Sequence, residues 1–192
     1  MNKRISEAIQ DSIEVKQKIL DDNILLETIE KVAEVCTICL KNGGKILFCG
    51  NGGSAADAQH LAAELSGRFY YDRDPLFAEA LHVNTSYLTA VANDYSYDEI
   101  YSRLVKAKGR EGDVIFGIST SGNSMNILKA FDTAKKLNMI SIGMTNEKGG
   151  KMINSCDYLL KMPSFDIPRI QEAHILVGHI ICELIEKNIF PK

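Results

Sequence analysis

The sequence predicts an α/β fold, a three-layer sandwich in which helices flank a central parallel sheet. Two observations predict this class. Short apolar segments alternate with longer segments that have helical apolar spacing. The short segments are also almost continuously apolar, which is typical of strands in a parallel sheet that is covered on both faces. Ligands bind such sheets at the carboxyl ends of the strands.

The first half of the chain opens with two amphipathic helices, predicted at about 4–20 and 23–41 from apolar residues at helical spacing. The second helix ends at Asn42-Gly43-Gly44, a typical stop signal. The apolar run KILFC at 45–49 predicts a strand, and a helix at about 54–67 follows its turn of small residues. The next stretch is irregular, apart from a short strand predicted within AEALHV at 78–83.

The second half alternates strands and helices more clearly, because apolar runs and helical patterns succeed one another with little between them. The predicted elements are helices at 86–94 and 97–108, a strand at 113–119, a helix at 123–137, a strand at 139–144, a short helix near 149–154, a strand at 157–162 and a final helix at about 168–189. We therefore expect one domain over residues 1–192, with 1–42 as a helical extension packed on it.

Composition excludes several classes of protein. The net charge is −3 and the basic residues are scattered, so we expect no nucleic-acid partner. No segment approaches the ~18 consecutive apolar residues of a membrane span, and the N-terminus lacks the apolar region of a signal peptide. The five cysteines lie within apolar patterns and their number is odd, which favours reduced thiols in the cytoplasm.

Cys36 and Cys39 form a C-x-x-C pair. A redox pair or a zinc site is one interpretation of this spacing. The other is that VAEVCTICL continues the apolar stripe of a helix and places two small apolar residues on one face. We favour core packing here.

Two turns of small residues predict an anion site. Residues 50–60 read GNGGSAADAQH and residues 117–124 read GISTSGNS, and each stretch lies between a predicted strand and a predicted helix. This arrangement aims backbone N–H groups and the positive end of a helix dipole at an anion. Glycine lets the backbone approach closely, and the hydroxyls of Ser119, Thr120, Ser121 and Ser124 add donors. A chain that carries this device twice is expected to bind a phosphorylated small molecule.

Two pairs of polar residues lie at helical spacings. His60 and Glu64 are four residues apart and share one helix face, where they can hold a divalent metal or form an acid–base pair. An ordinary polar helix face is the alternative. Gln171 and His179 are eight residues apart, roughly 12 Å along a helix axis. They point the same general way without being adjacent, and core packing alone would explain His179.

The remaining histidines carry weaker signals. His174 faces another side of the last helix and is interpreted as structural or exposed, and His82 has no obvious partner. Asn93 and Asp94 end an apolar helix, where they either form a cap and turn or hold sugar hydroxyls.

Taken together, these motifs resemble a known family. The runs GNGGSAADAQHLAAELSGRF, AVANDYSYDEIYSR, GDVIFGISTSGNSMNILKA and RIQEAHILVGHIICELIE are similar to those of phosphoheptose isomerases, within the sugar-isomerase (SIS) fold. The resemblance covers nearly the whole chain. It implies isomerisation of sedoheptulose 7-phosphate to D-glycero-D-manno-heptose 7-phosphate, the first step towards nucleotide-activated heptoses for lipopolysaccharide, capsule or glycoprotein.

The resemblance also implies roles for individual residues. One zinc ion per subunit would be held by His60, Glu64, Gln171 and His179. Glu64 would be the base and His179 the acid of an enediol(ate) mechanism. The substrate contacts it implies are Asn51, Gly52, Gly53, Ser54, Glu64, Asn93, Asp94, Ser119, Thr120, Ser121, Ser124 and Gln171.

Two points stay open at this level. Residues bound to zinc cannot act freely as base and acid, so either the ligands exchange during turnover, or the zinc is mainly structural or supports activity indirectly. The family assembles as a homotetramer with active sites between subunits, and the wide spacing of Gln171 and His179 agrees with a site near a subunit junction. The N-terminal helices are the expected packing surface.

Two other functions remain as alternatives. A non-catalytic SIS protein that binds a replication-initiator-type partner could keep the fold and the phosphate turn, but it would not need all four metal and catalytic positions. Another phosphosugar aldose–ketose isomerase or a phosphosugar-sensing regulator would also fit the fold.

Overall fold

The computed structural model describes residues 3–192 and contains, within that range, one five-stranded sheet. The strands are β1 (Ile46–Gly50), β2 (Ala78–Ala80), β3 (Val114–Ile118), β4 (Ile140–Asn146) and β5 (Tyr158–Met162). They pair in the order β2-β1-β3-β4-β5, and every pair is parallel.

Helices fill the connections between the strands. The α-helices of the described range are α1 (Lys3–Leu20), α2 (Asn23–Lys41), α3 (Gly53–Ser66), α4 (Thr85–Asp94), α5 (Ile100–Lys108), α6 (Met125–Lys136) and α7 (Ile167–Ile189). Short 3-10 helices span Tyr97–Glu99 and Gly150–Asn154. None of the helices between residues 3 and 192 combines the length and the apolar character that crossing a membrane requires.

The sheet separates two apolar cores. Ile46 and Phe48 of β1 point to the core that α1, α2, α3 and α7 cover. Leu47 and Cys49, which alternate with them, point to the core formed with α4, α5 and α6. Because successive side chains of a strand point to opposite faces, a continuously apolar strand needs a cover on each side. The predicted three-layer α/β sandwich is confirmed.

The strand order places a switch point between β1 and β3. The chain leaves β1 for β2 on one side and later returns to β3 on the other, so β1 lies between them. Gly50, the last residue of β1, is in register with Ile118, the last residue of β3. In an open parallel sheet the crevice at such a point is the usual place for a ligand. Both turns of small residues therefore begin at this one edge.

Helices α3 and α7 approach each other closely on one side of the sheet. A Cβ atom built on Gly178 of α7 would lie 2.6 Å from Cδ1 and 2.7 Å from Cδ2 of Leu61 in α3. Both residues are buried. The missing side chain at Gly178 is therefore what lets α7 lie against Leu61.

The N-terminal helices pack on the same side. Ser12 of α1 donates a hydrogen bond of 2.6 Å to the Glu172 carboxylate of α7, and the Arg169 guanidinium donates to the Ala8 carbonyl. Buried residues of α2, among them Ile29 and Val32, belong to the core beneath α7. α1 and α2 thus form part of one helical layer with α3 and α7.

The predicted elements differ from the observed ones mainly at their ends. β2 stops at Ala80, because only Ala78–Ala80 pair with β1 before the chain turns away. The helix predicted at 97–108 begins as a 3-10 turn and becomes α-helical at Ile100. The predicted start of α6 at 123 was early, because Asn123 and Ser124 belong to the preceding turn. The short helix near 149–154 is a 3-10 helix.

Replacing Gly178 with alanine tests the close approach of α3 and α7. At an exposed helical site, alanine is about 1 kcal/mol more favourable than glycine. At Gly178 we expect the opposite sign, a loss of about 1–3 kcal/mol, because an added methyl group must displace Leu61 in a packed core. Urea unfolding monitored by circular dichroism measures the difference.

The matched control is Ala90→Gly, at an exposed position in the middle of α4. It reports the ordinary glycine–alanine difference in this protein and should cost about 0.5–1 kcal/mol. A Gly178→Ala variant as stable as the wild type, or more stable, would show that α3 and α7 do not depend on the missing side chain.

Candidate active site

The first turn joins β1 to α3 and is shaped by glycines. Gly52 has φ of 56° and ψ of −123°, a backbone conformation that residues with a side chain rarely adopt. α3 begins at the next residue, Gly53, where an added Cβ would lie 2.3 Å from Nε2 of Gln171. Ser54 is buried behind the turn. The structure therefore places Gln171 of α7 directly against the first turn.

The second turn joins β3 to α6 and gathers three hydroxyl groups. Oγ of Ser119 lies 2.9 Å from Oγ of Ser124 and 3.4 Å from Oγ of Ser121. Ser124 precedes the first residue of α6, but its side chain does not cap the helix. Thr120 accepts a hydrogen bond of 2.9 Å from the Asn146 amide through its carbonyl. Hydroxyls and the start of a 12-residue helix converge here, as a phosphate group requires.

A polar network links the two turns across the switch point. Asn51 and Asn126 exchange side-chain hydrogen bonds of 3.0 and 2.9 Å, and the Tyr97 hydroxyl donates to Asn51 Oδ1 at 3.1 Å. Asn126 is 2% exposed. Sequence reasoning missed both Asn126 and Tyr97. An asparagine inside the otherwise apolar buried face of a helix was the available signal for Asn126, whereas nothing in the sequence marks Tyr97.

Three of the predicted metal ligands come together between α3 and α7. One nitrogen or oxygen of each of His60, Glu64 and His179 lies within 4.8 Å of the other two. Nε2 of His60 is 2.9 Å from Nε2 of His179 and 3.1 Å from Oε1 of Glu64. All three belong to one chain, so the spacing of the last helix does not require a second subunit to assemble them.

The chemistry of these atoms fits a divalent cation. Nε2 of His60 lies between Nε2 of His179 and a carboxylate oxygen of Glu64. In either tautomer it has one proton or one lone pair, so it forms a full hydrogen bond with only one of these two neighbours. A cation between the three atoms satisfies all of them at once. Imidazole nitrogens and carboxylate oxygens are typical zinc ligands. Gln171, the fourth predicted ligand, lies eight residues before His179, and its side chain lies against Gly53, the first residue of α3.

The site is open on this chain. His60 has a side chain that is 48% exposed, and Glu64 is 24% exposed. Asn93 and Asp94 are exposed at the end of α4, where the Asn93 amide donates a hydrogen bond of 3.0 Å to the Asp94 carboxylate. The structure thus places this predicted sugar-binding pair at the end of α4. The two side chains are hydrogen-bonded to each other and exposed to solvent.

The other two histidines lie away from the three clustered residues. His174 is completely buried, and its Nε2 lies 3.3 Å from the carbonyl oxygen of Thr145 in β4. Burial lowers the pKa of His174 to about 4, so its imidazole is neutral near pH 7. Burial also lowers the pKa of His82. The structural interpretation of His174 is supported.

The cysteines belong to the apolar cores rather than to a site. All five are free thiols, and Cys36, Cys39, Cys49 and Cys182 are buried. Burial raises the pKa of Cys39 to about 11 and that of Cys182 to about 12. Such thiols are not thiolates near neutral pH, and the thiolate is the form that reacts or binds metal. Core packing is therefore the better interpretation of the C-x-x-C pair.

Comparisons with known proteins identify the family of this chain. The family model of the SIS domain matches residues 9–146. A phosphoheptose isomerase from Aneurinibacillus thermoaerophilus is 54% identical over 190 residues, which cover 99% of this chain and 96% of that protein.

Solved structures lead to the same group. A phosphoheptose isomerase from Neisseria gonorrhoeae aligns with a TM-score of 0.90 at 45% identity, covering 96% of this chain and 98% of that one. The enzyme from Francisella tularensis aligns with a TM-score of 0.92 at 38% identity, covering 96% and 97%. The chain therefore belongs to the SIS-domain family and, within it, to the phosphoheptose isomerases.

Proposed function

We propose that this protein isomerises sedoheptulose 7-phosphate to D-glycero-D-manno-heptose 7-phosphate through an enediol(ate) intermediate. The observation that carries the proposal is the cluster of His60, Glu64 and His179 between α3 and α7. α3 starts at the first of the two anion-binding turns, so this cluster and the turns belong to one region. Relatives at about half identity over the whole chain carry the name of this activity.

The conversion of a 2-ketose into an aldose moves a proton from C1 to C2 and a hydrogen from O1 to O2. A base at carbon and an acid at oxygen are both needed. Glu64 is the proposed base, and His179 is the proposed acid that exchanges a proton with O1 and O2. Nε2 of His60 lies 2.9 Å from Nε2 of His179 and 3.1 Å from Oε1 of Glu64, so the acid and the base are both next to this imidazole.

A divalent ion, zinc in this proposal, fits between His60, Glu64 and His179, with Gln171 as a further ligand. Glu64 and His179 act as base and acid when they are released from the ion, because a bound ligand atom is not free to take up a proton. When bound, such an ion supplies a positive charge that stabilises negative charge developing on oxygen. The chain's own residues hold the substrate at the other end. Ser119, Thr120, Ser121 and Ser124 bind the phosphate, and the first turn (Asn51 to Ser54) together with Asn93, Asp94 and Gln171 orients the sugar. Binding energy from the distal phosphate then positions C1 and C2 at the acid and base.

We further propose a homotetramer with active sites closed by neighbouring subunits, located in the cytoplasm. The open site on the single chain supports closure by a second copy. The outer face of α1 supports an interface, because Ile5, Ile9 and Ile13 recur every four residues and are 57%, 57% and 53% exposed. Residues 1–42 then serve as a helical extension of a single domain. The free thiols are those expected in a reducing compartment.

Purified protein incubated with sedoheptulose 7-phosphate in D₂O should form the aldose and introduce deuterium at C2. The reason is that an enediol(ate) regains its C2 proton from a group that exchanges with solvent. Proton and carbon NMR detect both events. Folded protein with added zinc that gives neither product nor exchange at micromolar concentration would favour the partner-binding alternative.

Glu64→Gln should bind substrate and lose most turnover. A positioned base contributes about 10²–10⁴-fold to the rate, and glutamine conserves shape without accepting the proton. Steady-state kinetics measure kcat, with Glu111→Gln as the control. Glu111 is exposed just before β3, at the sheet edge opposite the site, and its substitution should leave kcat unchanged. If Glu64→Gln keeps more than about a tenth of the wild-type kcat, Glu64 is not the base.

The double substitution Ser119→Ala and Ser121→Ala should raise KM far more than it lowers kcat. Each lost hydrogen bond to a charged phosphate costs about 1.5–3 kcal/mol, so KM should rise roughly a hundredfold or more. Ser155→Ala, at the amino end of β5, is the control and should leave KM unchanged. An unchanged KM in the double variant would place the phosphate elsewhere.

Removal of metal should lower activity and thermal stability together. An ion that binds only the native state at a hundred times its Kd stabilises it by about 2.7 kcal/mol. The protein is purified without chelator. Metal analysis, and thermal melts before and after chelator is added, test the zinc site. Light scattering tests the tetramer. His60→Ala should bind less metal, whereas Glu111→Gln should bind as much as the wild type. A metal-free, fully active monomer would contradict both parts of the proposal.

A further inference from the structure

The loop between α3 and β2 is held by an ion pair inside the protein. Nε of Arg73 lies 3.0 Å from Oε1 of Glu186 in α7, and the two side chains are only 2% and 1% exposed. Removing two charges from water is costly, and a well-packed apolar pair at such a place is often as stable or more stable. A buried ion pair is therefore weak evidence for a purely stabilising role.

Arg73 holds the carboxyl end of α3. Its guanidinium donates hydrogen bonds to the carbonyl oxygens of Glu64 at 2.9 Å, Leu65 at 2.8 Å and Gly67 at 2.9 Å. The last carbonyls of a helix lack partners within the helix and attract a cation. One of the carbonyls fixed in this way belongs to Glu64, the proposed base.

Glu186 holds the chain that follows α3. Its carboxylate accepts hydrogen bonds from the backbone N–H groups of Phe69 at 3.0 Å, Tyr70 at 2.8 Å and Tyr71 at 3.3 Å. Burial by itself would raise the pKa of Glu186. The N–H donors of Tyr70 and Phe69 and the Arg73 guanidinium outweigh burial and lower that pKa, so the carboxylate is charged at neutral pH.

The loop carries Phe69 to the proposed acid. The Phe69 ring centroid lies 5.7 Å from that of His179, at an interplanar angle of 47°. Glu186 follows His179 by seven residues, two helical turns along the same face of α7. One buried carboxylate thus fixes the backbone of the residue whose ring packs against His179.

We propose that Arg73, Glu186 and Phe69 are positioning residues for the site between α3 and α7. Arg73 fixes the helix end that carries Glu64, and Glu186 fixes Phe69 against the His179 imidazole. The catalytic consequence rests on the proposed function. The structural part, that the ion pair sets the environment of His179, is tested independently of any activity. A shift of about 1 Å in a catalytic group can lower a rate by about 10²-fold.

A second buried ion pair provides a matched control. Nζ of Lys45 lies 2.5 Å from Oδ2 of Asp113, with side chains 14% and 3% exposed. Asp113 also accepts hydrogen bonds from the backbone N–H groups of Lys45 at 3.0 Å and Arg110 at 2.7 Å. This pair lies before β1 and β3, at the sheet edge opposite the site. Its loss should destabilise the protein without altering the site.

The test variants are Glu186→Gln, which keeps one carbonyl oxygen as acceptor, and Phe69→Leu, which removes the ring and leaves the ion pair intact. Asp113→Asn is the control. The chain has four histidines, so histidine labelled with carbon-13 at Cε1 alone gives four Cε1–H signals in a carbon–proton NMR spectrum of the protein. Urea unfolding and steady-state kinetics are measured on the same samples.

Glu186→Gln keeps every aromatic ring and should shift the His179 and His60 signals more than those of His82 and His174. Phe69→Leu shifts the His179 signal by loss of ring current alone, because the ring lies 5.7 Å from that imidazole. The NMR comparison therefore rests on Glu186→Gln, and the kinetic comparison rests on both test variants.

Both test variants should also lower kcat at least about tenfold while KM stays within about threefold of the wild type. Asp113→Asn should be less stable than the wild type. Its four histidine signals and its kcat should be unchanged. A folded Glu186→Gln variant whose His60 and His179 signals match the wild type would overturn the proposal, and the ion pair would then be purely structural. If the wild type itself does not isomerise the substrate, the proposed function fails, and the NMR comparison still decides the positioning role.

Discussion

The close contact between α3 and α7 is the constraint on which the rest of the site depends. Leu61 of α3 packs where Gly178 of α7 has no side chain, and each is the immediate neighbour of a histidine. The contact therefore brings His60 and His179 together, with their Nε2 atoms 2.9 Å apart. A bulkier residue at position 178 would move α7 away from α3 and so separate His179 from His60 and Glu64. The same helix contact therefore packs the core and positions the two histidines of the site.

The second constraint is the order of the strands. Because β1 and β3 are neighbours in the sheet, the turns after Gly50 and Ile118 begin side by side. Each turn leads into a helix, so two positive helix ends face one region of space. Asn51 and Asn126 then join the turns through paired amide hydrogen bonds. An anion bound at the second turn is thereby held in a fixed position relative to α3, which carries His60 and Glu64.

Much of this arrangement could be predicted from the sequence, and the rest could not, for physical reasons. Continuous apolar strands predict a covered parallel sheet, and His60 with Glu64 at a spacing of four predict one shared helix face. The approach of His179 to that face depends on how α3 packs against α7. The spacing of residues within one helix does not predict this packing. Asn126 and Tyr97 contact residues that are distant in sequence, and so does Arg73. In the sequence, nothing distinguishes Arg73 from other charged residues of a loop. The partners of all three are identifiable only in the folded chain.

A crystal structure of the protein grown with zinc and sedoheptulose 7-phosphate tests the central claim most directly. The account predicts the ion between His60, Glu64 and His179, the phosphate on the hydroxyls of the second turn, and C1 and C2 of the sugar within reach of Glu64 and His179. A phosphate bound away from Ser119, Ser121 and Ser124, or an ion held by other residues while the three ligands stay apart, would contradict it.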